Sequence, residues 1–363
     1  MRIVTYSAED FDRLSQAAAK VNAARSLRHR PFVDYYYATQ EWCRLYLVVD
    51  GDDRVAAAMG LEHLRFEYDR REVTLGCASN LVTFEPGAGG YLFLLWMRAS
   101  HIACLYGGSA DTHRLVRSQK WTYFPGVKVY RLNARARARP AEPLWRRAAK
   151  SMLRAVAPGV DIAAHVERSV MRDHPEMEVR AERRFTNDLL PDSGSFVFRF
   201  APTTAYLNWR YSTELSFVRY RLYRILTRGR TSGYVVVNER PERLLVAQAD
   251  GVDPDTVALG ILLAIARVAA EGARTREVIL TSAHGRMQEI FTGVGFRSNK
   301  ADRPFVLTST KGALDFRLDT SDWLVNFDWT DNGLRAPFLD EDQARRVTIG
   351  STARAPESRP PRG

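Results

Sequence analysis

The stretch Phe84-Glu85-Pro86-Gly87-Ala88-Gly89-Gly90 brings three glycines up to an apolar run of helical length, 91–100. A glycine-rich turn that opens a helix leaves backbone N–H groups unpaired with the helix dipole behind them, and glycine lets an anionic group approach closely. A hairpin just before it carries Glu62, His63, Glu67 and Glu72. Strand alternation puts His63, Arg65 and Glu67 on one face, and an imidazole or carboxylate there could take a proton from an amine or hydroxyl nucleophile. His63 and Glu67 are the chosen bases, although hairpin charges are most often a solvated face. The seven histidines form no H-x-x-x-H or H-x-x-E-H pattern, and Cys43, Cys77 and Cys104 are scattered without C-x-x-C spacing. A metal site is therefore not expected. The absence of a Walker loop or G-x-S-x-G disfavours ATP hydrolysis and serine-hydrolase chemistry.

These residues sit in a chain of 363, a length that suggests two domains, with 45% apolar and 11% aromatic residues for their cores. No apolar run nears the ~20 residues that span a bilayer, and no signal-peptide pattern opens the chain. A soluble, cytoplasmic protein is the expectation. The net charge of +11 is concentrated: 128–154 carries nine basic residues against Glu142 alone. Arginine supplies 47 of the 53 basic residues, a bias that a GC-rich genome also produces. With no zinc-finger, RNP or basic-zipper pattern, nucleic acid is not an expected partner.

The basic segment holds Pro140, Pro143 and Pro158 and reads as a linker. Leu144, Trp145, Ala148, Met152 and Val156 recur within it at helical spacing among arginines. That short amphipathic helix leaves open a weak peripheral membrane contact through 143–157, beside the plainer reading of a bridge between domains. In the first half, 5–24 and 32–39 read as helical, then 44–49, 55–66 and 72–84 as extended. After the glycine turn come helix 91–100, strand 101–106, helix 111–120 and an extended segment 121–132, in the order ααβββαβαβ. The second half repeats the pattern about 175 residues on: 219–227, 233–237 and 243–249 as strands, helix 255–271, strand 277–281 and helix 285–293. Internal repetition fixes architecture more firmly than a single motif. The expected domains are 1–134, a linker at 135–160, 161–340, and a polar, Pro/Arg-rich disordered tail at 341–363.

A hairpin whose last strand breaks at a glycine-rich turn into a helix resembles the GCN5-related N-acetyltransferase superfamily, in both halves. Ile290-Phe291-Thr292-Gly293-Val294-Gly295-Phe296 looks like the family's late Y-x-x-x-G-F segment, and Tyr206-Leu207-Asn208-Trp209-Arg210-Tyr211 resembles a helix of bacterial members, many near cell-envelope polysaccharide functions. The resemblance implies an α+β fold of two tandem domains, each a mostly antiparallel mixed sheet flanked by helices. It also implies acetyl-CoA or another acyl-CoA as co-substrate. The pyrophosphate would sit on Gly87, Ala88, Gly89 and Gly90, the pantetheine arm would pair with Leu81, Val82 and Thr83 as an added strand, and Ser282 and His284 would hold polar substrate groups.

The chain departs from the family's pattern at informative places. Phe84 stands where the loop's basic or amide residue belongs. Asp253 and Asp255 lie where the second half would meet phosphate, and either suits a helix N-cap better. The first half is therefore the expected acyl-CoA site, and the second a degenerate copy. Phe291, and roughly Arg117, replace the family's tyrosine, which leaves Tyr123 as the candidate to return a proton to the thiolate. Tyr91, Phe93 and Trp96 could line an acyl pocket or belong to the core. The function implied is N- or O-acyl transfer to a small polar or sugar-like acceptor. The alternatives are aminoacyl transfer from charged tRNA to a cell-wall precursor, or a non-catalytic scaffold.

Overall fold

The computed structural model describes residues 1–39, 41–133, 162–191, 194–241, 243–271, 275–299, 301–309, 315–329 and 338–341. The basic linker, its amphipathic helix and almost all of the expected tail lie outside these residues. Among the described residues the strands are β1 (Arg2–Thr5), β2 (Cys43–Val49), β3 (Val55–Tyr68), β4 (Arg71–Thr83), β5 (Ile102–Tyr106), β6 (Thr122–Phe124), β7 (Lys128–Asn133) and β8 (Met177–Glu182). They continue with β9 (Phe198–Phe200), β10 (Arg219–Thr227), β11 (Arg230–Arg240), β12 (Arg243–Gly251), β13 (Glu277–Ser282), β14 (Arg297–Ser298) and β15 (Phe305–Ser309). One sheet runs β1-β2-β3-β4-β5-β15-β6 with β9 on the far end of β3; the other runs β14-β7-β13-β12-β11-β10-β8.

Both faces of the central strands are covered, so they read as near-continuous apolar runs rather than alternating ones. Along β3, Ala57, Met59 and Leu61 face the Gly89–Ala99 helix, while Leu64, Phe66 and Tyr68 enter a larger cluster shared with the second half. The Pro254–Ala270 helix is apolar nearly all round because the second sheet and the Ile162–Met171 helix enclose it. Residues 2–5 form an edge strand rather than the start of the first helix, which is Phe11–Ala18.

The largest departure from the sequence reading lies at 121–132. This segment is not one strand: β6 closes the first sheet and β7 joins the second. Reciprocally, β15 from the second half fills the slot between β5 and β6, while β7 fills the slot between β13 and β14. The crossing takes three residues, Pro125-Gly126-Val127. Proline ends the β6 ladder, and Gly126 turns at φ +85 with its N–H on Asp302 Oδ2 at 2.7 Å. The two crossing chains also pair with each other, through Phe305 opposite Phe124, Arg303 N–H on Val127 O (2.7 Å), Asn299 N–H on Val129 O (3.2 Å) and Ser298 opposite Tyr130. A two-stranded ribbon thus runs through both sheets.

The internal repeat is visible down to single turns. Lys120 (φ +57) and Gly295 (φ +99) close their helices alike, with Trp121 N–H on Val116 O (3.1 Å) and Phe296 N–H on Phe291 O (3.0 Å). Val116, not Arg117, is therefore the counterpart of Phe291, and both side chains are fully buried.

Candidate functional site

Among the described residues each sheet contains one parallel pair of strands, and each pair parts after three residues. In the first, Leu75, Gly76 and Cys77 oppose Ile102, Ala103 and Cys104, after which β4 and β5 diverge. In the second, Arg243, Leu244 and Leu245 oppose Glu277, Val278 and Ile279 before β12 and β13 part. Both splayed strands carry one extra residue against their hairpin partners: Asn80 and Leu81 together face Met59, and Ala247 is inserted between Val246 and Gln248. Such bulges bend a strand and add twist.

The splits differ in what fills them. Beyond the first, Leu81 and Val82 are half-buried and Thr83 is exposed. The strand leads through Gly87 (φ +82) into the Gly89–Ala99 helix, whose first turn has no acidic residue and no side-chain cap. A side chain at Gly90 would meet nothing within 4 Å, whereas one at Gly89 would stand 2.5 Å from Thr83 Oγ1. An extended acyl thioester with a phosphate end fits this place: bare strand edge, close glycine backbone, and an uncapped helix start. Phe84 packs against the core and offers no charge.

The second split is filled by the chain itself. Asn326 lies along β12, accepting the Ala249 N–H at 2.9 Å and donating to the Ala249 carbonyl at 3.0 Å. Asp328 N–H reaches Ala247 O at 3.1 Å, and on the other side Thr281 Oγ1 of β13 donates to Val325 O at 3.4 Å. The helix beyond is capped by Asp253, which takes the Thr256 N–H at 2.7 Å, while Arg286 grips Asp255 at 2.8 and 3.0 Å. The Arg286 guanidinium holds the Asp255 carboxyl below its usual range.

The expected site residues scatter around this framework. His63 is exposed and its Nε2 lies 3.0 Å from Ala99 O, at the C-terminal end of the helix whose other end is Gly89. Eleven helical residues span about 16 Å, so His63 does not face the glycine turn. Glu67 lies five residues along β3 from the first split and pairs with Arg199 at 3.1 Å. Glu72 is paired with Arg65 on the same hairpin. Tyr123 packs in the same apolar cluster as Leu81, its hydroxyl 2.9 Å from His113 Nδ1. Ser282 is buried with its hydroxyl on His284 O at 3.4 Å, and half-buried His284, whose pKa burial lowers, begins the Gly285–Gly293 helix in the second half. Phe93 and Trp96 are core; only Tyr91 is exposed.

Two buried charge clusters tie the halves together, and they draw Tyr206 and Arg210 from the 206–211 stretch and Glu62 and Glu67 from the hairpin noted in the sequence. Arg210, 3% exposed, reaches Glu62 at 3.2 Å and Asp328 at 3.4 Å, and Tyr206 donates to Glu62 at 2.7 Å. Arg199 bridges Glu67 and Asp250, both at 3.1 Å. Burial raises the Asp250 carboxyl to about 7 despite Arg199. With the folded pKa above the unfolded one, the native state binds the extra proton between about pH 4 and 7. Wild type should therefore lose stability relative to Asp250→Asn as pH rises through that window and stay level above it. Paired urea titrations from pH 4.5 to 8.5 measure the slope; parallel curves would show Asp250 to be ionised throughout.

Among the described residues there is no group of three or more His, Cys, Asp or Glu side chains able to hold a metal ion, and no helix is long and apolar enough to cross a membrane. No protein-family model and no curated protein matches the sequence. Solved structures do match. A GCN5-related N-acetyltransferase from Anabaena variabilis superposes at a TM-score of 0.50 with 10% identity, over 85% of this chain and 73% of that one. A candidate acetyltransferase from Pyrococcus horikoshii gives 0.50 with 10% identity over 89% and 94%. A tandem GNAT protein from the clavulanic acid biosynthesis pathway gives 0.49 with 13% identity over 86% and 99%. At 10% identity the two likenesses at 0.50 speak for the fold alone: the chain has the GCN5-related N-acetyltransferase fold. Its own strand order shows that fold built twice.

Proposed function

We propose that this chain is an acyl-CoA-dependent N- or O-acyltransferase whose single donor site is the split between β4 and β5. The contrast between the two splits carries the reading. One offers a bare strand edge and an uncapped glycine helix start; the other is filled by Asn326 and faced with carboxylates. Gly87, Ala88, Gly89 and Gly90 would hold the pyrophosphate, and Leu81, Val82 and Thr83 the pantetheine arm. The bound thioester would supply an activated acyl group. The second half serves as a wall of the acceptor cleft. The acceptor is a small polar or sugar-like amine or alcohol, the class that the resemblance to envelope-associated bacterial members suggests. Cytoplasmic placement follows from the supply of acyl-CoA.

Calorimetry with acetyl-CoA tests this directly. Wild type should bind one equivalent with micromolar affinity. Gly90→Glu places a carboxylate at the helix start without a packing clash and should weaken binding at least about 30-fold, through Coulomb repulsion between that carboxylate and the pyrophosphate. No binding by wild type would end the acyl-CoA reading, and two equivalents would end the single-site one.

A further inference from the structure

The first two residues of β4 to carry polar side chains after it leaves β5 are Ser79 and Asn80, and both are buried. Asn80 adopts φ +48 inside the bulge, a left-handed conformation that is uncommon for a residue with a side chain. Its carboxamide is held from two other elements. Ser26 Oγ, in the 3-10 segment Asn22–Arg28, donates to Asn80 Oδ1 at 2.8 Å. Asn80 Nδ2 donates to the Tyr37 hydroxyl at 2.7 Å, and that hydroxyl lies 3.4 Å from Ser79 Oγ. Asn80 is 8% exposed, and Ser26, Ser79 and Tyr37 are less exposed still. Gly60 on the neighbouring strand admits them, because a Cβ there would stand 2.4 Å from Ser79 Oγ and 2.9 Å from the Tyr37 ring.

The second half places Ala247 at its bulge, with no positive φ, and meets it with the backbone of Asp328. At the second bulge a buried carboxamide, Gln248, donates to the Tyr234 hydroxyl at the longer distance of 3.3 Å; the carboxamide in a left-handed bulge, held by Ser26 and Tyr37 from two other elements, belongs to the first split. A carboxamide fixed from two other elements at a strand divergence, with one amide proton left over, points to a role beyond packing. An amide nitrogen has two protons. Tyr37 takes one, and Ser26 on the oxygen fixes which way the group is turned.

We propose that the second Nδ2 proton of Asn80 is the hydrogen-bond donor for the acyl carbonyl of the thioester bound in the first split, with Ser26 and Tyr37 as positioning residues. This rests on the acyltransferase reading and names the side chain that polarises the carbonyl. A neutral donor fixed before the acyl donor arrives stabilises the oxyanion that forms when the nucleophile attacks, without reorganisation.

The test is isotope-edited infrared spectroscopy of carbonyl-13C acetyl-CoA bound to the full chain, with calorimetry of acetyl-CoA and free CoA alongside. Wild type should shift the thioester carbonyl band to lower frequency. Asn80→Gly, which tolerates the positive φ, should return the band to its solution position and weaken acetyl-CoA about fivefold, the worth of one neutral hydrogen bond, leaving free CoA unchanged. Tyr37→Phe and Ser26→Ala keep Asn80 and should broaden the band as the carboxamide loses its fixed orientation; they decide the matter if Asn80→Gly does not fold. An unshifted wild-type band, or a shift retained in Asn80→Gly or sharp in both positioning variants, overturns the role of Asn80 alone. Failure of wild type to bind acetyl-CoA overturns the acyltransferase reading with it.

Discussion

Replacing Arg210 with methionine should cost about 3–5 kcal/mol of folding stability, the usual penalty for leaving a buried charge without its partner. Burial works against the charge on Arg210, yet Glu62 and Asp328 together hold its pKa well above the ordinary arginine value. Remove the guanidinium and two carboxylates remain, both almost inaccessible to water. One comes from β3 of the first sheet and the other from the segment that fills the second split, so the damage reaches both halves. The cation also lies 5.3 Å from the centre of the Tyr36 ring, a contact that methionine only partly replaces. Neutralising the carboxylates as well, with Glu62→Gln and Asp328→Asn, should recover most of the loss, since buried ion clusters are poor sources of net stability. Denaturant titration of the single and triple variants gives the comparison. A loss below about 1 kcal/mol in Arg210→Met would place the cluster in the solvated class.

Dividing the chain should have the larger structural effect. Residues 1–147 expressed alone lack β15, so β5 has a bare edge and β6 has no partner. They also lose Phe198, Phe200, Tyr206, Phe217 and Trp323 from the apolar cluster that the two halves share. An exposed apolar strand edge invites aggregation. The fragment should show no cooperative melt and no dispersed amide spectrum. A chain cut at 147 after folding should remain one body on gel filtration and separate only in denaturant. A soluble, cooperatively melting 1–147 fragment would mean that β7 folds back into the slot that β15 occupies here.

Much of the order of strands and helices was legible because periodicity and turn residues report local structure, although the short strands at 2–5, 177–182, 198–200 and 305–309 were not read. The strands at 219–227 and the helix at 285–293 match their predicted bounds, and the glycine turn does open a helix. What escaped was partner choice. Lys128–Asn133 alternates in a way that suits an inner position of either sheet, so nothing in its composition says which half it will complete. The segment Trp323-Leu324-Val325-Asn326-Phe327-Asp328-Trp329 has strand-like composition, but its role depends on a split that only the folded sheet creates. Two of the expected site residues lie away from the split for a related reason. His63 and Glu67 were chosen by chemical type and strand face, whereas proximity to the split is set by register: the strands part beside Cys77, opposite Glu62. Asn80 carries one faint sequence signal, an asparagine inside an apolar strand, where a left-handed bulge is one of the few conformations that favours it.

The crossing ribbon also limits how the molecule can move. Two domains joined by a linker can part like jaws about a hinge and close on a ligand. Here that motion would have to break β5 from β15 and β13 from β7 at once, so the halves act as one stiff frame. Whatever enters the first split must be admitted by smaller movements at its rim, where Leu81, Val82 and Thr83 emerge towards solvent. The dimensions of that rim, rather than the swing of a domain, then set which molecules gain entry and how fast they leave.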